Sequence, residues 1–456
     1  MSREAWALLI VLAYAALCIA VGMRERGRRQ RLRAELAALL PAADDAPAVL
    51  VLHASQTGSA EEIARSTARA LHLAGLPVRL MALSEVREAD LRLAGHALFI
   101  ASTYGEGDAP DSGAVFARDL MTREDLDLSS LQFGLLALGD ATYAQYCGFG
   151  RLLDGWLRAR GAQPMFDRIE VDRDDAHALD RWRQALSHLA GTVELSDFQA
   201  AAFLPWRLLE RRLLNPGSEG GAVFHLEFAP ADGAAPPDWE AGDLMQLGLG
   251  DLHAGEAPRE YTIASLPADG RVHLMVRQSH RDDGSLGLAS GLLTEQLAVG
   301  DSVPLRLREH RSFRIGANAG RPLVLIGNGS GLAGLRAHLK AQAFRAGAPA
   351  WLLYGERRAA HDAHYDDEIT AWQRSGLLER VDRVYSRDVG TRGYVQHALD
   401  ASINTLVDWL DRGAAIYVCG SLQGMAAGVD SVLRERLGDA RVDALIADGR
   451  LRRDVY

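Results

Sequence analysis

Cysteine is scarce in this chain. Three occur in 456 residues, Cys18, Cys147 and Cys419. They lie too far apart for a metal-ligand spacing, and they are too few and odd in number for a disulfide framework. No metal is expected, and a reducing compartment fits this usage best. Positive charge is not in excess: 50 Lys plus Arg stand against 60 Asp plus Glu, a formal balance of −10. Nucleic acid is therefore not an expected partner. There is no internal repeat at a solenoid period and no extended low-complexity segment. These absences exclude a disulfide scaffold, a zinc-organised protein and a histone-like one. What is present, 48% hydrophobic residues and 45 glycines, fits packed α/β domains rather than disorder or a helical bundle. The length suggests about three domains.

Residues 6–23, WALLIVLAYAALCIAVGM, run for eighteen residues without a charge, long enough to cross a hydrocarbon core as a helix. A signal peptide is the competing reading, but RERGRRQRLR follows and no small-residue cleavage site is seen. Arg24, Arg26, Arg28, Arg29, Arg31 and Arg33 follow the stretch, against Arg3 before it. A retained single-pass anchor is expected, with everything after Met23 in the cytoplasm and the arginines near anionic headgroups. The stretch holds no His to ligate a haem, so anchoring is its expected role.

A polar linker, PAADDAP, precedes an alternation of apolar strands and amphipathic helices: AVLVLHAS, EEIARSTARALHLAG, HALFIAST, LQFGLLALGD, GRLLDGWLRARG. This predicts an α/β fold with an open parallel sheet covered by helices. From about residue 203 to 315, short strand-like runs broken by Gly, Pro and Asp (AVFHLEFAP, LMQLGLG, RVHLMVRQS, SVPLRLRE) predict an antiparallel β-barrel. RPLVLIGNGSG then restarts an α/β pattern.

The first strand ends in Ser55, Gln56, Thr57, Gly58 and Ser59, just before helical sequence. Hydroxyls and backbone N–H groups there make a phosphate cradle, and the absence of Lys and Arg excludes a Walker-type loop. Two more strand ends give Ser102, Thr103, Tyr104, Gly105, Glu106 and Gly107, then Leu138, Gly139 and Asp140 followed by Thr142 and Tyr143. Both place a tyrosine at the carboxyl edge of the sheet, where open α/β folds bind ligands. Two such rings beside a phosphate cradle point to a planar phosphorylated ligand.

HASQTGSAEEIA, STYGEGDAPDSG and LGDATYAQYCGFG together resemble the three flavin loops of flavodoxin-like domains in diflavin reductases. That family includes the sulfite reductase flavoprotein subunit and NADPH–haemoprotein reductase. The resemblance implies FMN, its phosphate held by residues 55–59, its ring between Tyr104 and Tyr143, and the pocket closed by Tyr146 and Cys147. In the second region Arg259, Tyr261, Thr262 and Ser265 resemble the R-x-Y-[ST]-x-x-S motif of ferredoxin-reductase-like FAD domains. An Arg there pairs with a pyrophosphate, and a Tyr ring packs on the flavin. Gly287, Leu288, Ala289 and Ser290 resemble the family's second FAD contact. Thr262 stands where Ser is commoner.

In the last region GNGSGLAG, with Gly327 and Ser330, resembles the family's G-P-G-T-G-x-A-P turn. Asn328 and Gly334 replace its prolines, which predicts a more flexible turn. Ser386 with Arg387, then Arg392, Tyr394 and Gln396, resemble the 2′-phosphate pocket, so NADPH is expected over NADH. The resemblance further implies that Tyr456 covers the flavin face until nicotinamide displaces it. Thr262, Cys419 and Asp454 would then align the nicotinamide for hydride transfer.

The charge and hydropathy pattern sets off an anchor (1–23) and a basic juxtamembrane linker (24–47), and the resemblance, which spans residues 48 to 456, divides the rest into an FMN-binding flavodoxin-like domain (48–195), an FAD-binding barrel (196–316) and an NADP(H)-binding domain (317–456). One departure is large. Only LGLGDLHAGEAPREY separates the strand after Gly242 from the Arg259 motif, so the helical connecting domain of long family members is missing. The short segment around 190–205 must position the flavodoxin-like unit instead. The implied function is electron transport from NADPH through FAD and FMN to a one-electron acceptor protein, expected to hold haem. Glu106, Asp108, Asp111, Asp119, Glu124, Asp125 and Asp127 form a candidate docking face for a basic partner. A ferric-chelate or quinone reductase is a second reading. A membrane-tethered FMN carrier with a decayed NADPH site is a third.

Overall fold

The computed structural model describes residues 48–456 apart from 57, 106, 174, 192–201, 250–257, 282, 346 and 389–392. Three sheets follow one another along the chain. The first contains β1 (Val49–Ala54), β2 (Val78–Ala82), β3 (His96–Ser102), β4 (Gln132–Gly139), β5 (Gln163–Pro164) and β6 (Ile169–Asp172). Its order is β2-β1-β3-β4-β5, with β6 also on β4 and every pair parallel. Helices cover both faces, which is why β1, β3 and β4 read as nearly unbroken apolar runs. The helix Ser59–Leu73 presents Ala60, Ala64, Ala68 and Leu71 at helical spacing to one core cluster. These small residues bring its first turn close to the end of β1.

The second sheet is antiparallel and runs β10-β9-β12-β7-β8-β11. Its strands are β7 (Leu204–Leu213), β8 (Val223–Pro230), β9 (Leu244–Leu247), β10 (Arg259–Thr262), β11 (Val272–Arg277) and β12 (Ser302–Arg308). A bridge between Ile263 and Leu274 joins its two ends, closing a barrel around Trp206, Phe228, Met245 and Leu293. β9 and β10 pair directly, Leu247 opposite Arg259, so a hairpin stands where long relatives of the resemblance insert a domain.

The third sheet is parallel, in the order β15-β14-β13-β16-β17. Its strands are β13 (Leu323–Asn328), β14 (Ala350–Glu356), β15 (Leu378–Tyr385), β16 (Ala415–Gly420) and β17 (Leu451–Val455). The chain reverses its direction of sheet-building between β13 and β16, the crevice where doubly wound sheets bind ligands. Among the described residues no helix is long and apolar enough to cross a membrane. The expected anchor, residues 6–23, lies outside the described residues.

Candidate functional site

Residues of the barrel and the third sheet meet around a cavity of about 430 Å³. Arg259, Tyr261 and Thr262 line it from β10, Gly287, Leu288, Ala289 and Ser290 from a helix start, and Ser330 and Tyr456 from the third sheet. The two barrel motifs, distant in sequence, thus form one wall. Gly287 is needed there: a Cβ on it would come within 2.1 Å of Ser279 Oγ, which shares a 2.8 Å hydrogen bond with Ser290 Oγ. Ser265 is not brought to the cavity. It is fully buried, its hydroxyl donating to the Arg271 carbonyl and accepting from the His273 N–H.

Behind Thr262 the three expected hydride-site residues come together. Thr262 Oγ1 donates to Asp454 Oδ2 at 2.6 Å, and the Cys419 thiol stands 3.6 Å from the same oxygen. Strands β16 and β17 pair Cys419 with Asp454 in register. Burial raises the Asp454 carboxyl to about 6 and pushes the Cys419 thiol well up, so the thiol remains protonated. Gly334 packs against this trio, its notional Cβ 3.0 Å from the Thr262 methyl and 3.3 Å from Cys419 Sγ.

A second cavity opens on the other side of Tyr456, lined by Asn328, Ser330, Ser386, Tyr394, Gln396 and Ser421 among others. Tyr456, 56% exposed, belongs to both cavities, and its hydroxyl lies 3.1 Å from Ser330 Oγ. Gln396 Oε1 is buried without a hydrogen-bond partner, an acceptor that fits a polar ligand. Gly327 does not line the cavity; it permits β13 and β16 to approach, a Cβ there falling 2.5 Å from the Cys419 carbonyl oxygen. The turn after β13 is not left loose by its missing proline. Asn328 Oδ1 accepts from Ser421 N at 3.0 Å and ties the two strand ends.

Arg387 is exposed, its backbone N–H donates to the Arg357 carbonyl, and Arg357 lines the cavity. Arg392 lies outside the described residues. Sequence reasoning also missed Arg277, which lines both cavities and is paired with buried Glu356. Its position at the end of β11, beside a second motif, was the available signal.

The three loops at the carboxyl edge of the first sheet converge. Ser55 Oγ accepts from Gly58 N at 2.8 Å, and Gly58 holds φ 92°, a left-handed turn suited to glycine. Gln56 and Asp111 exchange hydrogen bonds of 3.0 and 2.9 Å. Thr57 lies outside the described residues. Ser102 ends β3, Gly105 and Gly107 turn the second loop at positive φ, and a Cβ on Gly107 would reach Gln145 at 3.0 Å. Gly139 lets the third loop fold back, since a Cβ there would meet Cys147 N at 2.8 Å and the Tyr146 ring at 2.9 Å. Thr103 N donates to the Leu138 carbonyl, while Thr103 Oγ1 is buried without a partner, a hydroxyl that fits a polar ligand atom.

Other loop residues serve the scaffold. Leu138 is core; Cys147 is buried, its thiol donating to the Ala137 carbonyl; Asp140 caps Thr142 and pairs with Arg173. Tyr143 is 37% exposed, whereas Tyr104 is half-buried against the helices of the third unit. Burial raises the Tyr104 hydroxyl. The acidic docking face is weaker than its sequence suggests, because Asp111, Asp119 and Asp125 are paired with Arg453, Arg118 and Arg123.

Residues 51–183 match the family model described as Flavodoxin, and residues 325–431 match the oxidoreductase NAD-binding domain. Among curated proteins, the chain is 26% identical to the sulfite reductase [NADPH] flavoprotein alpha-component of Vibrio cholerae serotype O1, covering 89% of this chain and 87% of that protein. It is 26% identical to the same component from Neisseria meningitidis serogroup C, covering 91% of each. With the Bacillus subtilis protein it is 25% identical over 94% of each. The Vibrio alignment runs over 537 positions, more than the 456 residues here, so that relative carries residues with no counterpart in this chain.

Proposed function

Because this chain belongs to the diflavin reductase family, we propose that it is an NADPH-dependent reductase that delivers single electrons to an acceptor protein by way of FAD and FMN. When bound, NADPH supplies an electron pair and the two flavins divide it into single electrons. The remainder of the task is positioning by the protein.

The observation that carries this reading is the Thr262, Asp454 and Cys419 cluster set behind a tyrosine that belongs to both cavities. Arg259, Tyr261 and the Gly287 helix start hold FAD in the first cavity. Ser330, Ser386, Tyr394 and Gln396 hold NADPH in the second, with Arg357 and Arg392 as the cations of its 2′-phosphate pocket. Thr262 keeps its hydroxyl hydrogen on Asp454 Oδ2, and at neutral pH Asp454 is mostly ionised. A buried carboxylate there offsets the positive charge of an oxidised nicotinamide. Cys419, held protonated, is a neutral neighbour and not a nucleophile. FMN lies on the loops of the first sheet.

We divide the chain as 48–195, 196–316 and 317–456, with residues 6–23 as a membrane anchor that leaves these units on the cytoplasmic side. Retention of the full-length chain in carbonate-washed membranes tests the anchor. The acceptor is a haem protein in this reading; the relatives are named as the flavoprotein alpha-component of an NADPH sulfite reductase.

An anaerobic NADPH titration of the purified protein, with released flavins quantified, tests the whole. One FAD and one FMN per chain, both reduced by NADPH and slowly by NADH, is the expected result. Flavin that binds yet stays oxidised would replace the reductase with a carrier.

A further inference from the structure

Residues 308–312 leave the last barrel strand and run beside the first flavin loop. Arg308, 7% exposed, donates from Nη2 to Ser59 Oγ at 2.6 Å. Its Nη1 is paired with Glu260, and its Nε stands 3.6 Å from Glu62. The Ser312 hydroxyl donates to the Gln56 carbonyl at 3.1 Å, and a Cβ on Gly58 would lie 3.7 Å from the Glu309 carbonyl oxygen. The loop itself brings no cation to a phosphate: residues 55–59 contain none, and the helix that follows opens with Glu61 and Glu62.

We propose that Arg308, a barrel residue, is a ligand of the FMN phosphate, so that filling the cradle of the first unit also fastens that unit to the barrel. This rests on the reading of residues 55–59 as the FMN phosphate cradle. A phosphate oxygen that takes the Ser59 hydroxyl stands beside a guanidinium already desolvated and held by Glu260. Without Arg308 the carboxylates of Glu260 and Glu62, which the guanidinium offsets, stand near the same phosphate uncompensated by it. Charge-assisted hydrogen bonds of this kind change affinity by about ten- to a hundredfold. Arg308 and Ser59 lie in different units, so the gain is reciprocal. The factor by which closure tightens FMN is the factor by which FMN favours closure.

The test uses the full chain stripped of FMN with FAD retained, titrated with FMN and with riboflavin, which lacks the phosphate. Flavin fluorescence reports binding, and amide hydrogen exchange across 308–313 reports closure. In the wild type FMN binds tighter than riboflavin and slows exchange in that segment. Arg308→Gln weakens FMN about ten- to a hundredfold, leaves riboflavin unchanged and removes the added protection, while Arg308→Lys recovers most of the affinity. Glu62→Gln, at a side chain 55% exposed, tightens FMN several-fold and covers the case in which Arg308→Gln loses FAD with its fold. Arg308→Gln that binds FMN like the wild type, or Glu62→Gln that leaves FMN binding unchanged or weaker, overturns the proposal. A wild type that binds FMN no tighter than riboflavin, and is indifferent to Ser55→Ala, overturns the cradle reading itself.

Discussion

Asp454 carries a pH signature within the candidate site. Burial raises its carboxyl to about 6, so the folded protein binds that proton more tightly than the unfolded chain does. Its contribution to stability is therefore full in acid and is lost as pH rises through about 6. In the proposed reading the ionised form assists hydride transfer, so NADPH-dependent flavin reduction should rise along a limb with an apparent pKa near 6. Asp454→Asn should remove that limb and lower the plateau by roughly a hundredfold. In urea at pH 8 the same variant should be more stable than the wild type, because no buried charge must be kept. Tyr456 makes a different prediction. If its ring must leave the flavin cavity before nicotinamide enters, binding is weakened by the fraction of time the site is open, so Tyr456→Ala should bind NADP⁺ tighter, by about tenfold, in a calorimetric titration. The placement of both residues beside the cavities was legible in the sequence because each sits in a short motif at the chain's end. Arg308, Arg277 and Arg357 were not, since their partners Ser59 and Glu356 and the cavity walls arrive from elsewhere in the chain.

Elements were read well where their burial is uniform. The strands β1, β3, β4 and β13 are apolar runs enclosed on both sides, and their pattern admits little else. The strand β7 was missed. Its sequence LPWRLLERRL holds three arginines and a glutamate, and only Trp206 and Leu208 point fully inward. Charge on an outward face hides a barrel strand from a reader of alternation. Within the barrel the connection after β12 is fastened by a buried ion pair. Arg314 donates to both oxygens of Asp243, at 2.6 and 2.7 Å, and these contacts hold its guanidinium protonated despite burial. Asp243→Ala leaves the buried guanidinium only the more exposed carboxylates of Glu240, at 3.1 Å, and Glu309, at 3.5 Å, and should cost about 3 kcal/mol in denaturant unfolding. FAD should be lost before the fold is, because Asp243 Oδ1 also accepts the His310 N–H behind the cavity.

Seen whole, the first unit is fastened on two sides. The barrel holds its flavin-loop edge through Arg308 and Ser312, and the third unit holds it through Arg453 with Asp111 and Arg118 with Asp443. Arg118 is 49% exposed and remote from both cavities. Arg118→Glu should therefore loosen this seam selectively: stopped-flow traces should show FAD reduction by NADPH unchanged and FMN reduction slowed several-fold. No such seam was visible in the sequence, since it is made of single charges on surfaces that only the assembled fold brings face to face.

The missing connecting domain has a kinetic corollary. Thirteen residues, 191–203, join the helix ending at Ala190 to β7, and a chain of that length spans at most about 45 Å. However far the first unit moves, it stays on a leash of that radius, at an effective concentration on the order of millimolar with respect to its own barrel. Its return is first order and indifferent to dilution. An acceptor protein must win its turn at the FMN edge against a competitor that never leaves.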